Sequence, residues 1–206
     1  MMKKGGVRSP FFYVWRHGYA TKLKILPYTG GLMEFCIMGL KDTPSILVLG
    51  VGNLLYGDEG IGVHAARVLE EHYTFSENVR LEEGGTLGQF LLPSLTSCDI
   101  AIIIDAVCGG EAPGTLYRLE GGAVRNSLGF RDSQHQVDLA DILVQCDLIG
   151  QKPQVVIIGM EPQDIMTLQL EMTPLIASRQ SKLIEHVIQE IEECGGKVFS
   201  RESTAL

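Results

Sequence analysis

The sequence lacks paired cysteines and long apolar runs, and each absence excludes a class of protein. Its five cysteines are scattered and none forms a C-x-x-C pair. This pattern argues against a disulfide framework or a thiolate zinc site and is typical of a reducing cytoplasm. No apolar run approaches the roughly 18–20 residues of a membrane helix. The basic N-terminus has no continuous apolar core, so we expect neither a signal peptide nor membrane insertion.

Concentrated positive charge is also missing. The formal net charge is −8, and the 17 lysines and arginines are dispersed after the first few dozen positions. Because binding to phosphates needs a concentrated basic surface, we expect no nucleic-acid partner. Metal ions or positively charged partners suit this balance better.

Motifs for nucleotide binding and serine hydrolysis are absent as well. Gly50-Val51-Gly52 begins like a dinucleotide fingerprint, but Leu55 stands where the third glycine is needed. Asp58 and Glu59 follow where a pyrophosphate would lie, and their charge would repel it. The glycines lead to no Walker A lysine, and the chain has no G-x-S-x-G elbow. We therefore expect no nucleotide cofactor.

The 206 residues suffice for one domain with a substantial core. We place this domain at residues 45–197, with a C-terminal tail at 198–206. Residues 1–44 mix basic and aromatic side chains without a clean period. They are expected to be a loosely ordered extension, a start assigned too early with the natural one at Met33 or Met38, or a basic docking arm.

From Ser45 onwards the pattern alternates between strands and helices. Short apolar runs predict buried strands at 45–52, 78–86, 99–107 and 154–161. Helices are predicted at 60–73, 135–150 and 174–194, with a short helix at 87–95 stopped near Pro93 and a hairpin around 112–120. Such alternation predicts an α/β fold, a three-layer α/β/α sandwich with a twisted, mainly parallel central sheet.

The last helix has the clearest boundaries. Thr173 can cap it, Pro174 suits its first position, and Gly195-Gly196 end it. Its apolar positions form a sustained stripe that predicts burial against the sheet.

The candidate chemistry lies where the strands end. In open α/β sheets, sites gather at the carboxyl ends of the strands, near the point where strand order reverses. Glu59 and Asp105 each follow a predicted strand, and His135 begins a predicted helix. Two carboxylates and one imidazole suit Zn²⁺, Ni²⁺, Fe²⁺ or Mn²⁺. Spacing alone leaves open that all three are capping, loop or surface residues, and Asp58 is expected to be a loop or helix-start acceptor.

Four segments together resemble a known family. "ILVLGVGNLLYGDEGIGVHAARVLEE", "EEGGTLG", "IIIDAV" and "SQHQVDLADIL" occur in the order found in hydrogenase maturation endopeptidases. The resemblance covers roughly residues 45–194, and its G-x-G-N…D-E-x-x-G segment is highly specific.

The resemblance implies roles for individual residues. Glu59, Asp105 and His135 match the family's nickel-binding acid, strand-end aspartate and loop histidine. Glu83 matches the acidic residue before the Gly-Gly-Thr turn, which is commonly aspartate in relatives, so Glu83 is a further catalytic candidate. A cytoplasmic, monomeric α/β/α enzyme is implied.

The implied reaction is removal of a short C-terminal extension from the large-subunit precursor of a nickel-iron hydrogenase. The nickel would be the substrate's own, gripped by the acid/acid/His set. The sequence leaves open whether this metal takes part in catalysis or only docks the substrate. Two alternatives are a metal-dependent peptidase with another protein substrate, such as a germination-type protease, and a non-catalytic nickel-binding hydrogenase chaperone.

Overall fold

The computed structural model describes residues 11–16, 19–24, 43–86, 88–121, 123–124 and 134–201; the side chains described are those from residue 43 onwards, except at 134–138. The chain divides into two compact units, Met1–Leu40 and Lys41–Leu206.

The first unit contains two strands that the sequence pattern did not predict. Strand β1 (Phe11–Arg16) pairs antiparallel with β2 (Tyr19–Lys24), with Phe11 opposite Lys24. The placement of a domain boundary at residue 44 stays a prediction.

The second unit is built on a five-stranded sheet. Its strands, in spatial order, are β5 (Val79–Gly85), β3 (Ile46–Val51), β6 (Ile100–Ala106), β8 (Gln154–Met160) and β7 (Leu116–Glu120). Every pairing is parallel except that of β7 with β8. A separate two-stranded sheet pairs β4 (Tyr73–Phe75) with β9 (Val198–Ser200), which lies at the start of the predicted C-terminal tail.

Helices cover both faces of the central sheet. They are α1 (Ile61–His72), α2 (Leu92–Thr96), α3 (Gln134–Leu148) and α4 (Pro174–Glu193). Helices α1 and α4 contact the sheet and each other, while apolar residues of α2 and α3 pack with sheet residues into one core cluster. The predicted three-layer α/β/α architecture is therefore confirmed. No helix in the described part of the chain is long and apolar enough to span a bilayer.

Two predicted elements differ from the observed ones. Pro93 does not stop a helix; it lies in the first turn of α2, where its missing N–H needs no partner. The predicted hairpin around 112–120 is replaced by a turn and one edge strand. Among the described residues, that strand pairs with β8, because Leu116 lies opposite Met160 rather than opposite a neighbour from its own stretch.

Helix α4 begins at Pro174 as predicted, but Thr173 makes no side-chain cap for it. The Thr173 hydroxyl donates instead to Asp58 Oδ2 at 3.0 Å. The apolar stripe also includes one buried acid, Glu190, which Arg118 on β7 binds through two N–H groups at 2.6 and 3.0 Å. This ion pair ties the edge strand to the helix.

Two glycines let α1 approach the sheet at backbone distance. A Cβ at Gly62 would lie 2.1 Å from the Ile104 carbonyl oxygen and 2.3 Å from that of Val51. A Cβ at Gly50 would lie 2.3 Å from the Gly62 carbonyl oxygen. The first turn of α1 therefore packs directly on the carboxyl ends of β3 and β6.

We expect Gly62→Ala to destabilise the protein, although alanine is normally the better helix former. The new methyl group must displace α1 from β3 and β6, at a cost of about 2–3 kcal/mol. Urea unfolding followed by circular dichroism measures this change. Ser181→Ala, at an exposed position of α4, is the control and should stay within about 0.5 kcal/mol. A Gly62→Ala variant as stable as wild type would contradict the close approach.

Candidate active site at the carboxyl edge of the sheet

The order of strands creates one switch point in the sheet. From β3 the chain moves to β5 on one side, and then crosses to β6 on the other. The carboxyl ends of β3 and β6 therefore flank the crevice in which open α/β sheets bind ligands. Glu59 follows β3 and Asp105 lies near the end of β6, so the structure brings the regions of both predicted acids to this crevice.

Glu59 lies in a 3₁₀ turn, Gly57–Gly60, between β3 and α1. Its side chain is largely buried, with 8% of the residue exposed. A Cβ at Gly52, whose φ is +133°, would lie 2.0 Å from the Glu59 carbonyl oxygen, so only glycine fits there. Glycine thus serves the tight turn that positions Glu59.

The amides of this segment bind protein carbonyls. The Gly52 N–H donates to Gly85 O at 3.1 Å, and the Asn53 N–H donates to Glu59 O at 3.2 Å. The Gly57 N–H donates to Gln169 O at 2.7 Å. These three N–H groups are therefore engaged by the protein's own carbonyls.

Asp105 is the penultimate residue of β6 and is 2% exposed. Its Oδ1 accepts a hydrogen bond from the Ala106 N–H at 2.8 Å. Because Gly62 packs on the Ile104 carbonyl, the residues just after Glu59 lie against the residue just before Asp105.

The other two predicted site residues, His135 and Glu83, lie at the start of α3 and on β5. His135 is the second residue of α3, as predicted from its helix-start position, but its side chain lies outside the described residues. Glu83 lies opposite Gly50 on the edge strand β5 and is partly exposed. Both of its carboxylate oxygens accept from Arg67, at 2.9 Å from Nε and 3.1 Å from Nη2.

The described side chains contain no group of three histidines, cysteines or acids arranged to hold a metal ion. The predicted set requires His135, so this finding does not test it. Of that set, the structure describes Glu59 and Asp105, and both are buried at the carboxyl edge of the sheet.

Asp58 is a hydrogen-bond acceptor for a loop, as predicted. It is fully buried, and its carboxylate accepts from residues 163, 164 and 173, all in the segment between β8 and α4. The partners lie more than a hundred positions away, so no local sequence signal identified them.

Glu161 is a buried acid at this edge that the sequence analysis did not single out. It follows β8, and its side chain accepts from the N–H groups of Gly109, at 2.8 Å, and Gly110, at 3.3 Å. The Tyr117 hydroxyl also donates to it. Burial, and then this hydrogen bond, raise the pKa of Tyr117 to about 12. Glu161 thus holds the loop after β6 in place.

Two cysteines away from this edge of the sheet and one histidine on α1 have shifted pKa values. Burial raises the pKa of the Cys98 thiol to about 12 and also raises that of Cys146. Burial, and then the nearby Arg67 guanidinium, lower the pKa of His64. Within the described part of the chain, His64 Nε2 is a buried atom with no hydrogen-bond partner.

The structure is a three-layer α/β/α domain with buried carboxylates at its switch point, which is where open α/β sheets place their binding and active sites. The model of the hydrogenase maturation protease family (HycI) matches residues 63–190, and the chain belongs to this family. It is therefore an enzyme of the peptidase class, as the resemblance implied.

Individual relatives agree with this assignment. The chain is 34% identical over 169 residues to the hydrogenase expression/formation protein HupD of Thiocapsa roseopersicina, covering 81% of this chain and 76% of that one. It is 34% identical over 160 residues to the hydrogenase 2 maturation protease of Escherichia coli, covering 77% and 97%. The structure of the hydrogenase maturating endopeptidase HybD from E. coli superposes with a TM-score of 0.73 at 33% identity, covering 77% of this chain and 99% of that one.

We expect His64 to make the fold sensitive to acid. The pKa of His64 is lowered in the folded state, so the unfolded chain binds more protons below about pH 6.5, the ordinary histidine value. The free energy of unfolding therefore decreases as the pH is lowered through this range. Urea unfolding between pH 5 and 8 should show a shallower loss of stability in His64→Gln. His72→Gln removes an exposed histidine from the same helix and serves as control. If the free energy of unfolding depended equally weakly on pH in both variants, a specific effect of His64 would be contradicted.

Proposed function

We propose that this protein is an endopeptidase that removes a short C-terminal extension from the nickel-loaded large-subunit precursor of a nickel-iron hydrogenase. The observation that carries the proposal is the pair Glu59 and Asp105, two buried carboxylates at the switch point of a hydrogenase maturation protease. Two acids kept out of water at one crevice favour binding of a cation.

In this proposal the cation is the nickel of the substrate, gripped by Glu59, Asp105 and His135. Carboxylate and imidazole donors suit Ni²⁺, and they leave positions for the precursor's own ligands. Because the grip needs the metal, an unloaded precursor would bind weakly. Metal insertion thereby becomes a condition for cleavage.

We assign the proton-accepting role to Glu83. Glu83 is outside the proposed metal set and reaches solvent, so it is the candidate carboxylate left free of the metal to meet a water. Arg67 fixes its orientation through two hydrogen bonds. Glu83 would take a proton from the attacking water, the water oxygen would bond to the scissile carbonyl carbon, and the proton would pass to the amine released when the C–N bond breaks. Nickel bound nearby could polarise that carbonyl as a Lewis acid.

An exposed apolar surface beside the turn fits a protein substrate. Met166, Leu168 and Leu170 are 81%, 72% and 67% exposed, in the segment that follows β8. This segment is held against the turn region, because the Gln169 N–H donates to Leu55 O at 2.9 Å. Clustered exposed apolar side chains mark interaction sites, and we assign this one to apolar residues of the precursor.

The setting of the reaction belongs to the same proposal. We place it in the cytoplasm and expect a monomer, with no nucleotide cofactor. Membership of a protease family favours cleavage over the alternative of a non-catalytic nickel chaperone. Relatives named for hydrogenases favour a hydrogenase precursor over another protein substrate.

We expect Glu59→Gln and His135→Ala each to lower the rate of precursor cleavage by about 100-fold or more, because each removes one ligand of the proposed nickel grip. Glu83→Gln should lower kcat by a similar factor and leave KM unchanged. Cleavage of purified nickel-loaded precursor, followed by mass spectrometry, measures all three. Glu185→Gln, an exposed acid on α4, is the control and should process normally. Normal cleavage by both Glu59→Gln and His135→Ala would refute the site assignment.

The apolar surface is tested by replacing Leu168 and Leu170 together with serine. We expect KM for the precursor to rise about tenfold with kcat retained, since losing two apolar contacts should cost about 1.4 kcal/mol of binding. Leu148→Ser is the matched control, because Leu148 is equally exposed at the end of α3, where the chain leads into β8. A KM unaffected by the double substitution would remove this surface from the substrate interface.

A further inference from the structure

The Asp58 carboxylate accepts four hydrogen bonds from a segment more than a hundred positions away in the chain, and the proposed reaction does not use them. Its Oδ1 accepts from the Thr173 N–H at 2.7 Å. Its Oδ2 accepts from the N–H groups of Gln163 at 2.9 Å and Asp164 at 3.0 Å, and from the Thr173 hydroxyl at 3.0 Å. All four donors belong to residues 161–173, which we call the β8–α4 loop.

These bonds connect two strands that are not neighbours. The Gly57–Gly60 turn follows β3, the β8–α4 loop follows β8, and β6 lies between them in the sheet. The connection therefore passes across the carboxyl end of β6, where Asp105 lies. Backbone bonds run in the same direction, from Gly57 N–H to Gln169 O at 2.7 Å and from Asp58 N–H to Asp164 O at 3.3 Å.

Turn geometry separates the roles of the two adjacent acids. Successive side chains in a 3₁₀ turn project about 120° apart. Since Asp58 points into the β8–α4 loop, Glu59 must point elsewhere from the same rigid turn. Movement of Asp58 would therefore reorient Glu59 directly.

We propose that Asp58 is the positioning residue of the site, which locks the turn that carries Glu59 to the β8–α4 loop and so sets Glu59 relative to Asp105. The inference rests on the proposed function for its catalytic consequence. The mechanical link itself is independent of any substrate.

The link requires a carboxylate. All four partners donate, and an ionised aspartate only accepts, so every contact is satisfied. Asparagine would turn its NH₂ group towards at least one N–H donor. Asp58→Asn is therefore nearly isosteric and yet breaks the link, while Thr173→Val removes only the hydroxyl bond and Thr173→Ser keeps it.

Hydrogen exchange of the full chain tests the link without substrate. We expect Asp58→Asn to speed amide exchange at least tenfold both in residues 163–173 and in the Gly57–Gly60 turn, with β3 and β6 unchanged. Asp99→Asn is the matched control. Asp99 accepts from the Ser45 N–H at 2.8 Å and the Ser45 hydroxyl at 2.6 Å, where β3 and β6 begin. That variant should leave the turn unchanged; faster exchange confined to residues 163–173 in Asp58→Asn would overturn the proposal.

Kinetics with the nickel-loaded precursor then test positioning. We expect kcat per folded molecule to fall about 10- to 100-fold in Asp58→Asn, less in Thr173→Val, and to be restored in Thr173→Ser. Because Asp58 acts through Glu59, Asp58→Asn should cost little more in a Glu59→Gln background. A positioning role would be overturned if the losses of kcat from Asp58→Asn and Glu59→Gln multiplied in the double variant. Wild-type kcat in Asp58→Asn alone would overturn it as well. If Glu59→Gln itself were fully active, the assignment of Glu59 to the nickel grip would fail while the exchange result still decided the link.

Discussion

The site depends on the direct backbone contact between α1 and the sheet. Gly62 packs on the carbonyls of Val51 and Ile104, and Gly50 packs on the carbonyl of Gly62. No side chain can be inserted between these atoms, so the helix start has one possible distance from the ends of β3 and β6. Because the Gly57–Gly60 turn is the segment that leads into this helix, its position is determined by the same contact. The location of Glu59 beside the end of β6 therefore follows from packing of the main chain.

Buried carboxylates then organise the loops around that contact. Asp58 gathers N–H groups from the segment after β8, and Glu161 gathers N–H groups from the segment after β6. Loops at a strand edge leave many amides without sheet partners, and buried amides must be satisfied. An ionised carboxylate satisfies several at once. Two of the acidic residues at this edge, Asp58 and Glu161, thus support loops.

Much of the architecture could be predicted from local patterns. Apolar runs located β3, β6 and β8, and helical spacing located α1, α3 and α4, because burial of a strand or a helix face leaves a periodic mark in the sequence. Prediction failed where the partner was distant or the pattern ambiguous. The stretch before Glu120 has turn residues typical of a hairpin, yet its strand pairs with β8, which is more than thirty positions later in the chain. Strands β4 and β9 are too short to show a period.

The sequence by itself determined the order of elements, the resemblance to hydrogenase maturation endopeptidases, and the candidate residues Glu59, Glu83, Asp105 and His135. Only the tertiary structure decided how neighbouring acids differ. In the sequence, Asp58 and Glu59 are adjacent acids that no local pattern distinguishes. The N–H donors around Asp58 come from residues 163–173, which reach it because β8 lies two strands from β3 in the sheet. Likewise, the Arg67 guanidinium that binds Glu83 is brought there by packing of α1. Side-chain roles are set by contacts across the fold, and such contacts leave no local signal.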